Sequence, residues 1–271
     1  MARWTLDDIP WHRFDAAKLD PELVRLVKAA SLVEANGAAY AHHLCRVFED
    51  DPGFQAVARH WGEEEVQHGA ALGRWAALAD PGFDFTEAFA RFRAGYRVDF
   101  DSARSRRGSR SGEMVARCMV ETGTSTYYAA LSEAAEEPVL REICRRIADD
   151  EVRHYKLFHR NLRHCLDREG VGFWRRLMVA GKRIAEVGDD ELAWAYHAAN
   201  ETGLPYNRRR CARAYAGRAY ALYRARHVTR GVALIFKALG LAPKGRLARA
   251  TSRLVWAVMR RRAVQLAAAE P

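Results

Sequence analysis

Twice in this chain a lone glutamate is followed about thirty residues later by Glu-x-x-His: Glu34 precedes Glu65 and His68, and Glu121 precedes Glu151 and His154. In an α-helix, positions i and i+3 share a face, so each Glu-x-x-His sets one carboxylate beside one imidazole. The neighbouring residues make those faces apolar. Glu65 and His68 line up with Trp61, Leu72 and Trp75, and Glu151 and His154 with Ile147 and Phe158. Glu121 stacks with Cys118, Ser125 and Tyr128, and Glu34 with Val27, Ala30, Ala38 and Ala41. Unpaired charge in an apolar core is prohibitively costly, so four acids placed among core residues imply a compensating cation. A chain of this kind must bring four helical faces together around six ligands and two metal ions. One Glu-x-x-His in a charged helix is ordinarily a solvated face; the duplication with matching upstream glutamates is what carries weight. Mixed carboxylate and imidazole ligands favour iron, then manganese, over structural zinc.

The remaining pattern is helical throughout. Prolines are sparse, and apolar residues recur at spacings of three and four. A first helix is predicted over Pro21–Glu49, with Asp20 as its N-cap, and a second over Gly53–Ala79. Residues 80–112 are less regular, with a short Phe-rich helix at Thr86–Tyr96 and a loop-like run from Ser102 to Gly112. Helices over Glu113–Glu136 and Val139–Glu169 follow, separated by Pro138. Two short-linked helix pairs joined by one long crossover form an all-α, ferritin-like four-helix bundle, occupying residues 1–170 with its N-terminal segment. Residues 171–271 add further helices, predicted at Phe173–Val187, Glu191–Glu201, Pro205–Leu239 and Gly245–Ala268.

Charge divides the chain in the same place. From Thr202 to Ala269 there is no acidic residue, while sixteen Lys and Arg fall between Arg208 and Arg262. With 28 basic against 33 acidic side chains, the first 201 residues carry 28 − 33 = −5, although the whole chain is at +10. Within 245–262, Leu247, Leu254, Trp256, Val258 and Met259 alternate with Arg246, Arg249, Arg253 and Arg260 as in a basic amphipathic helix. Four roles stay open for this extension: packing on the acidic bundle, contact with an anionic membrane surface, docking of an acidic acyl carrier protein, and RNA binding. RNA is the weakest, because no aromatic stacking pattern accompanies the arginines. The five cysteines form no Cys-x-x-Cys pair, which argues against a zinc ribbon, a rubredoxin-type centre or a disulfide framework. No apolar run resembles a signal peptide or a membrane span, so a cytoplasmic protein, peripheral to a membrane at most, is expected.

The stretches His60-Trp61-Gly62-Glu63-Glu64-Glu65-Val66-Gln67-His68-Gly69 and LREICRRIADDEVRH, the latter running from Leu140 to His154, resemble the ferritin-like di-iron carboxylate superfamily. That superfamily includes rubrerythrins, soluble acyl-carrier-protein desaturases and several oxygenases, and the motifs are most similar to the desaturases. The resemblance covers Leu23 to Cys165. It implies that Glu65 and Glu151 bridge two irons, that Glu34 with His68 completes one and Glu121 with His154 the other, and that Thr124 borders the oxygen site. Asp150, beside Glu151, is a candidate to accept the outer N–H of a ligand histidine, with simple solvation as the alternative. Trp61 is a candidate electron relay, with plain core packing the commoner role. Tyr40, Tyr127, Tyr128, Phe89 and Phe92 are candidates for the wall of a substrate cavity.

The function this implies is an oxygen-activating di-iron oxidoreductase, a desaturase or hydroxylase acting on an acyl chain or another hydrophobic substrate. Its partners would be dioxygen, an external electron donor such as a ferredoxin, and an acyl carrier protein or anionic membrane met through 208–262; a homodimer is compatible with all of these. A rubrerythrin-like scavenger of peroxide or oxygen and a non-enzymatic iron-binding bundle are the alternatives.

Overall fold

The computed structural model describes residues 4–97, 100–186 and 190–267. All regular structure among them is helical. After three 3-10 turns come α1 (Pro21–Ala35), α2 (Gly37–Val47), α3 (Pro52–Ala79), α4 (Phe85–Gly95), α5 (Arg110–Ala134) and α6 (Pro138–Glu169). Beyond Gly170, whose φ of 60° closes α6 in the left-handed region, follow α7 (Phe173–Ala185), α8 (Asp190–Asn200), α9 (Arg208–Leu222), α10 (Ala225–Leu239) and α11 (Arg246–Ala267). Val187 and Ala268, the expected last residues of two helices, lie outside the described residues.

An acid followed by proline starts three of the long helices. Asp20, Asp51 and Glu137 each accept a first-turn backbone N–H, at 2.8, 2.9 and 2.7 Å from Glu22, Phe54 and Leu140. Proline at the next position has no N–H to lose there. Glu137 also accepts the Trp75 indole N–H at 2.7 Å, tying the start of α6 to the end of α3.

Residue pairings fix the directions of the helices around the main core. Ala35 faces Gly69 and Ala41 faces Gly62, so α1 and α2 run antiparallel to α3. Trp75 meets Glu137 while Trp61 meets Phe158, so α3 runs antiparallel to α6. Ser132 bonds Arg141 and Ser111 bonds Glu169, so α6 runs antiparallel to α5. The order is up, down, down, up, and the segment carrying α4 makes the long crossing between α3 and α5.

Two expected helices are interrupted. The one over Pro21–Glu49 divides at Asn36, whose N–H bonds to Val33 O at 3.1 Å in a tightened turn. The cause is close packing: a Cβ on Gly37 would lie 2.2 Å from Glu65 Cβ, and one on Gly69 2.5 Å from the Ala35 backbone nitrogen. The change of phase leaves Ala38 exposed, although uninterrupted periodicity puts it on the buried face with Glu34. The long basic helix over Pro205–Leu239 divides at Tyr223 and Arg224, which adopt extended backbone.

The core has two main apolar bodies. One gathers Leu26, Leu72, Trp75, Tyr128, Leu140 and Ile147, with Tyr196 and Tyr215 from α8 and α9. The other gathers Trp61, Met114, Cys118, Tyr155 and Phe158, with Val179 and Leu239 from α7 and α10. Between them, at the level of His68 and His154, lies a polar layer. The C-terminal helices thus share the bundle's core, and their basic side chains meet its acids, Arg218 pairing with Glu22 at 2.6 Å and Arg226 and His227 with Glu133, while Arg210 pairs within the C-terminal part with Glu201 at 2.7 Å. On α11 it is Ala248, Val255, Trp256 and Met259 that pack inward, while Leu247, Leu254 and Val258 are exposed. No helix among the described residues is long and apolar enough to cross a membrane.

Candidate metal centre

Each Glu-x-x-His lies mid-helix, on α3 and α6, and the two face each other across the core with their imidazole centroids 5.8 Å apart. Glu34, on the last turn of α1, and Glu121, on α5, complete the ring. All six side chains are buried, none more than 7% exposed. Their ligating atoms form two groups, each within 4.8 Å: Glu34, Glu65, His68 and Glu151, and Glu65, Glu121, Glu151 and His154. Glu65 and Glu151 belong to both. These buried groups can hold metal.

Seven inward atoms make no hydrogen bond: Glu34 Oε2, Glu65 Oε1, His68 Nδ1, both Glu121 oxygens, Glu151 Oε1 and His154 Nδ1. They lie close, His68 Nδ1 3.3 Å from Glu151 Oε1 and His154 Nδ1 3.0 Å from Glu65 Oε1, but without hydrogen-bond geometry. Lone pairs converging on a common interior, rather than on one another, fit a cation.

The outward atoms of both histidines, Glu34 and Glu151, by contrast, are held. His68 Nε2 meets Asp150 Oδ2 at 3.1 Å, and His154 Nε2 meets Glu64 Oε2 at 2.9 Å. Such contacts orient a ring with Nδ1 inward and fix its tautomer. Arg153 spans both acids, 2.5 Å from Asp150 Oδ1 and 3.1 Å from Glu64 Oε1. Tyr128 donates to Glu34 Oε1 at 2.6 Å, and Thr124 to Glu151 Oε2 at 2.5 Å.

Asp150, for which the sequence left open a ligand histidine or solvent, is buried and meets His68. Glu64, Arg153 and Trp4 were not singled out from sequence. For Glu64 a signal existed: it precedes Glu65 as Asp150 precedes Glu151, four residues before the histidine in each motif. Trp4 had none, lying 146 residues from Asp150, to which its indole donates at 2.8 Å while stacking on His68 with rings 7° from parallel. Trp61 stands edge-on to His154 at 6.5 Å. Of the aromatic residues expected on a cavity wall, Tyr40 lines the cavity described below and Tyr128 bonds Glu34. Tyr127 packs against Tyr215, and Phe89 and Phe92 stack within the first core body, away from the site.

Electrostatics follow from burial and pairing. Burial, with Glu151 and Glu34 adding repulsion, raises Glu65 well above the ordinary carboxylate range, and burial with Glu151 pushes Glu121 up to about 8. Burial also opposes charge on Glu151, yet the adjacent imidazoles of His154 and His68 outweigh it and hold Glu151 low. Asp150 and Glu64 are lowered to about 2, since their histidine and Arg153 contacts overcome desolvation. Desolvation acts against charge on His68 and His154 as well, but the surrounding carboxylates raise both well above 6.5. Protein groups alone thus keep the layer tolerable by holding protons on Glu65, Glu121 and the two histidines.

A cavity of about 390 Å³ ends on this layer, reaching Glu34, Glu65, Glu121, Thr124 and Glu151. Its outer wall comes from Tyr40 on α2, Glu113 and Arg117 on α5, Phe100, Arg106 and Arg107 in the crossing segment, Arg183 on α7, and the acids Glu186 and Glu191. No protein-family model matches the chain, and no curated protein matches it.

Proposed function

We propose that this chain is a dinuclear metal oxidoreductase of ferritin-like architecture, with iron as the metal and dioxygen as the oxidant. The observation that carries the reading is the pair of four-donor groups sharing Glu65 and Glu151, with both Nδ1 atoms turned inward and both Nε2 atoms anchored outward. The up-down-down-up helix order with one long crossing supports the architecture. Four carboxylates and two neutral imidazoles carry a formal charge of about −4, which two divalent cations neutralise. Glu34 with His68 would complete one ligand set and Glu121 with His154 the other.

Iron held there supplies the electrons that activate dioxygen for hydrogen abstraction or oxygen insertion. The chain's own groups do the positioning. Asp150 and Glu64 accept the Nε2 protons and hold each ring in one tautomer. Thr124, on the cavity wall, keeps its hydroxyl proton on Glu151 Oε2 and so fixes the carboxylate that both groups share. The two apolar bodies exclude water from either end of the layer. Reducing equivalents come from an external donor such as a ferredoxin, because the sequence offers no Cys-x-x-Cys pair for an electron-carrying iron of its own. A cavity that ends on the ligands favours an organic substrate over scavenging. Its charged wall suits a polar molecule better than the acyl chain implied by the desaturase resemblance.

The test is metal analysis with optical spectra after anaerobic loading with ferrous iron. Two irons per chain, with an absorption band that appears on adding oxygen and is absent in Glu151→Ala, are expected. Less than one metal per chain, unchanged by the substitution, sinks the reading.

A further inference from the structure

Arg117 stands apart from the other cations of the cavity wall. Its guanidinium lies over the rings of Tyr40 and Trp61, 5.1 and 5.5 Å from their centroids, and among the described residues no carboxylate pairs with it. The half-buried Tyr40 is itself fixed, its hydroxyl donating to Glu191 at 2.6 Å. A guanidinium held by aromatic faces keeps its planar fork of N–H donors for a ligand, and that fork matches a carboxylate or a phosphate. Arg117, Glu121 and Thr124 follow one another on the same face of α5, so the guanidinium-bearing residue is one turn, about 6 Å, from a ligand carboxylate.

We infer that the cavity takes a small organic anion, a carboxylate or phosphate ester, with Arg117 anchoring the anionic group and the rest of the molecule lying toward Glu121 and Thr124. This rests on the dinuclear reading, since the four inner carboxylates repel an anion until cations neutralise them, while the outer acids Glu113, Glu186 and Glu191 are already met by Ser105, Arg107 and Tyr40. A long alkyl chain is the poorer occupant, because it would strip water from Arg117 and Arg106 without replacing any hydrogen bond.

Three probes of similar shape separate the contributions: benzoate and phenyl phosphate carry the anion, and benzamide lacks it. Each is titrated calorimetrically into the full chain, metal-free and anaerobically loaded with ferrous iron, in wild type, Arg117→Gln and Arg117→Lys, with folding checked by circular dichroism. The expected result is binding of both anions to the loaded protein and benzamide weaker by about ten-fold or more. Arg117→Gln should lose about ten- to a hundred-fold of the anion affinity, and Arg117→Lys should recover part of it. Benzoate and benzamide binding equally well to wild type, anion affinity unchanged in Arg117→Gln, or no saturable binding of either anion to the loaded protein would each overturn the inference. Anion binding governed by Arg117 in a chain that takes up no metal would leave the anchor standing and remove only the dinuclear reading.

Discussion

The two halves of the polar layer look like copies but are supported differently. On one side His68 is backed by Asp150, which also receives the Trp4 indole, and Glu34 is held by the Tyr128 hydroxyl. On the other, His154 is backed by Glu64, and Glu121 has neither oxygen hydrogen-bonded. Only the second half keeps its carboxylate unrestrained at the inner end of the cavity that Arg117 overlooks. On the dinuclear reading proposed above, rigid support on one side and a free carboxylate on the other would let the ligands of the second position adjust more readily than those of the first. Breaking residues shared by both halves should therefore differ from breaking one half.

The largest contrast concerns the shared carboxylates. Glu65→Ala or Glu151→Ala removes a donor from both groups and is expected to bring metal content from two ions per chain to less than one. Glu34→Ala and Glu121→Ala should each leave about one ion. Plasma mass spectrometry of the four loaded variants decides; equal losses at all four positions would show that the groups do not share donors. In metal-free protein the sign reverses. Glu65 is raised by burial and so takes up a proton on folding, a cost that glutamine does not carry, so Glu65→Gln should raise the melting temperature of the metal-free chain while abolishing the gain on loading.

The second contrast is in pH. Glu121, at about 8 when folded against an ordinary value of 4.5, takes up a proton on folding, so its cost grows as pH rises across that window. His68 and His154, both raised, lose their stabilising contribution as pH climbs past 6.5 toward their folded values. Glu64 and Asp150, lowered to about 2, weaken the fold only in acid below about pH 4. Metal-free protein is therefore expected to melt at a lower temperature at pH 8 than at pH 6. Loaded protein, whose ligands must already be deprotonated, should not, so the gap between the two forms widens with pH. A gap constant across this range, measured by calorimetry, would contradict the assignment.

Next come the acids behind the histidines. Asp150→Asn and Glu64→Gln keep size but weaken acceptance of the Nε2 proton, and each is expected to lower metal affinity about ten- to a hundred-fold. The losses should fall on different ions, the first on the His68 group and the second on the His154 group. Arg153→Met, which releases both acids at once, should touch both. Competitive titration with a chelator resolves the two steps, and a single step shifted alike by both acid variants would break the distinction.

How much of this was legible in the sequence depends on the range of the contact. The six donors share a simple signature, because helix periodicity carries a buried acid and its i+3 partner to one face whatever the tertiary detail. The starts of α3 and α6 are equally local, written in Asp51-Pro52 and Glu137-Pro138. The division at Tyr223 was not readable. That at Asn36 has a local signal, the Asn36-Gly37 dipeptide, which the continuous apolar spacing on either side outweighs in the sequence; the approach of Gly37 to Glu65, a contact between helices, decides it. The basic run was legible as charge but not as position, since nothing in Arg218 or Arg226 names Glu22 or Glu133 as the partner. Arg117 gave no signal: in sequence it stands between Glu113 and Glu121, four residues to either side, and that neither acid pairs with it while aromatic rings do is a property of the folded surroundings.

The smallest expected effect is at Trp4. Its indole is one of three groups on Asp150, beside His68 and Arg153, so Trp4→Phe leaves that carboxylate two charged partners. Loss of one neutral hydrogen bond, with the aromatic stacking on His68 largely kept, should cost about 1 kcal/mol of stability and change metal affinity less than three-fold. The informative comparison is with Trp61→Phe, whose indole nitrogen is buried without a partner. That substitution removes no hydrogen bond and should leave stability nearly unchanged. If both tryptophans serve only packing, the two variants will also be reduced alike by an external donor under stopped flow. A slower reduction confined to Trp4→Phe, at unchanged metal content, would assign the hydrogen-bonded path through Asp150 and His68 to electron delivery, and would make the first half of the layer the side from which the site is reduced.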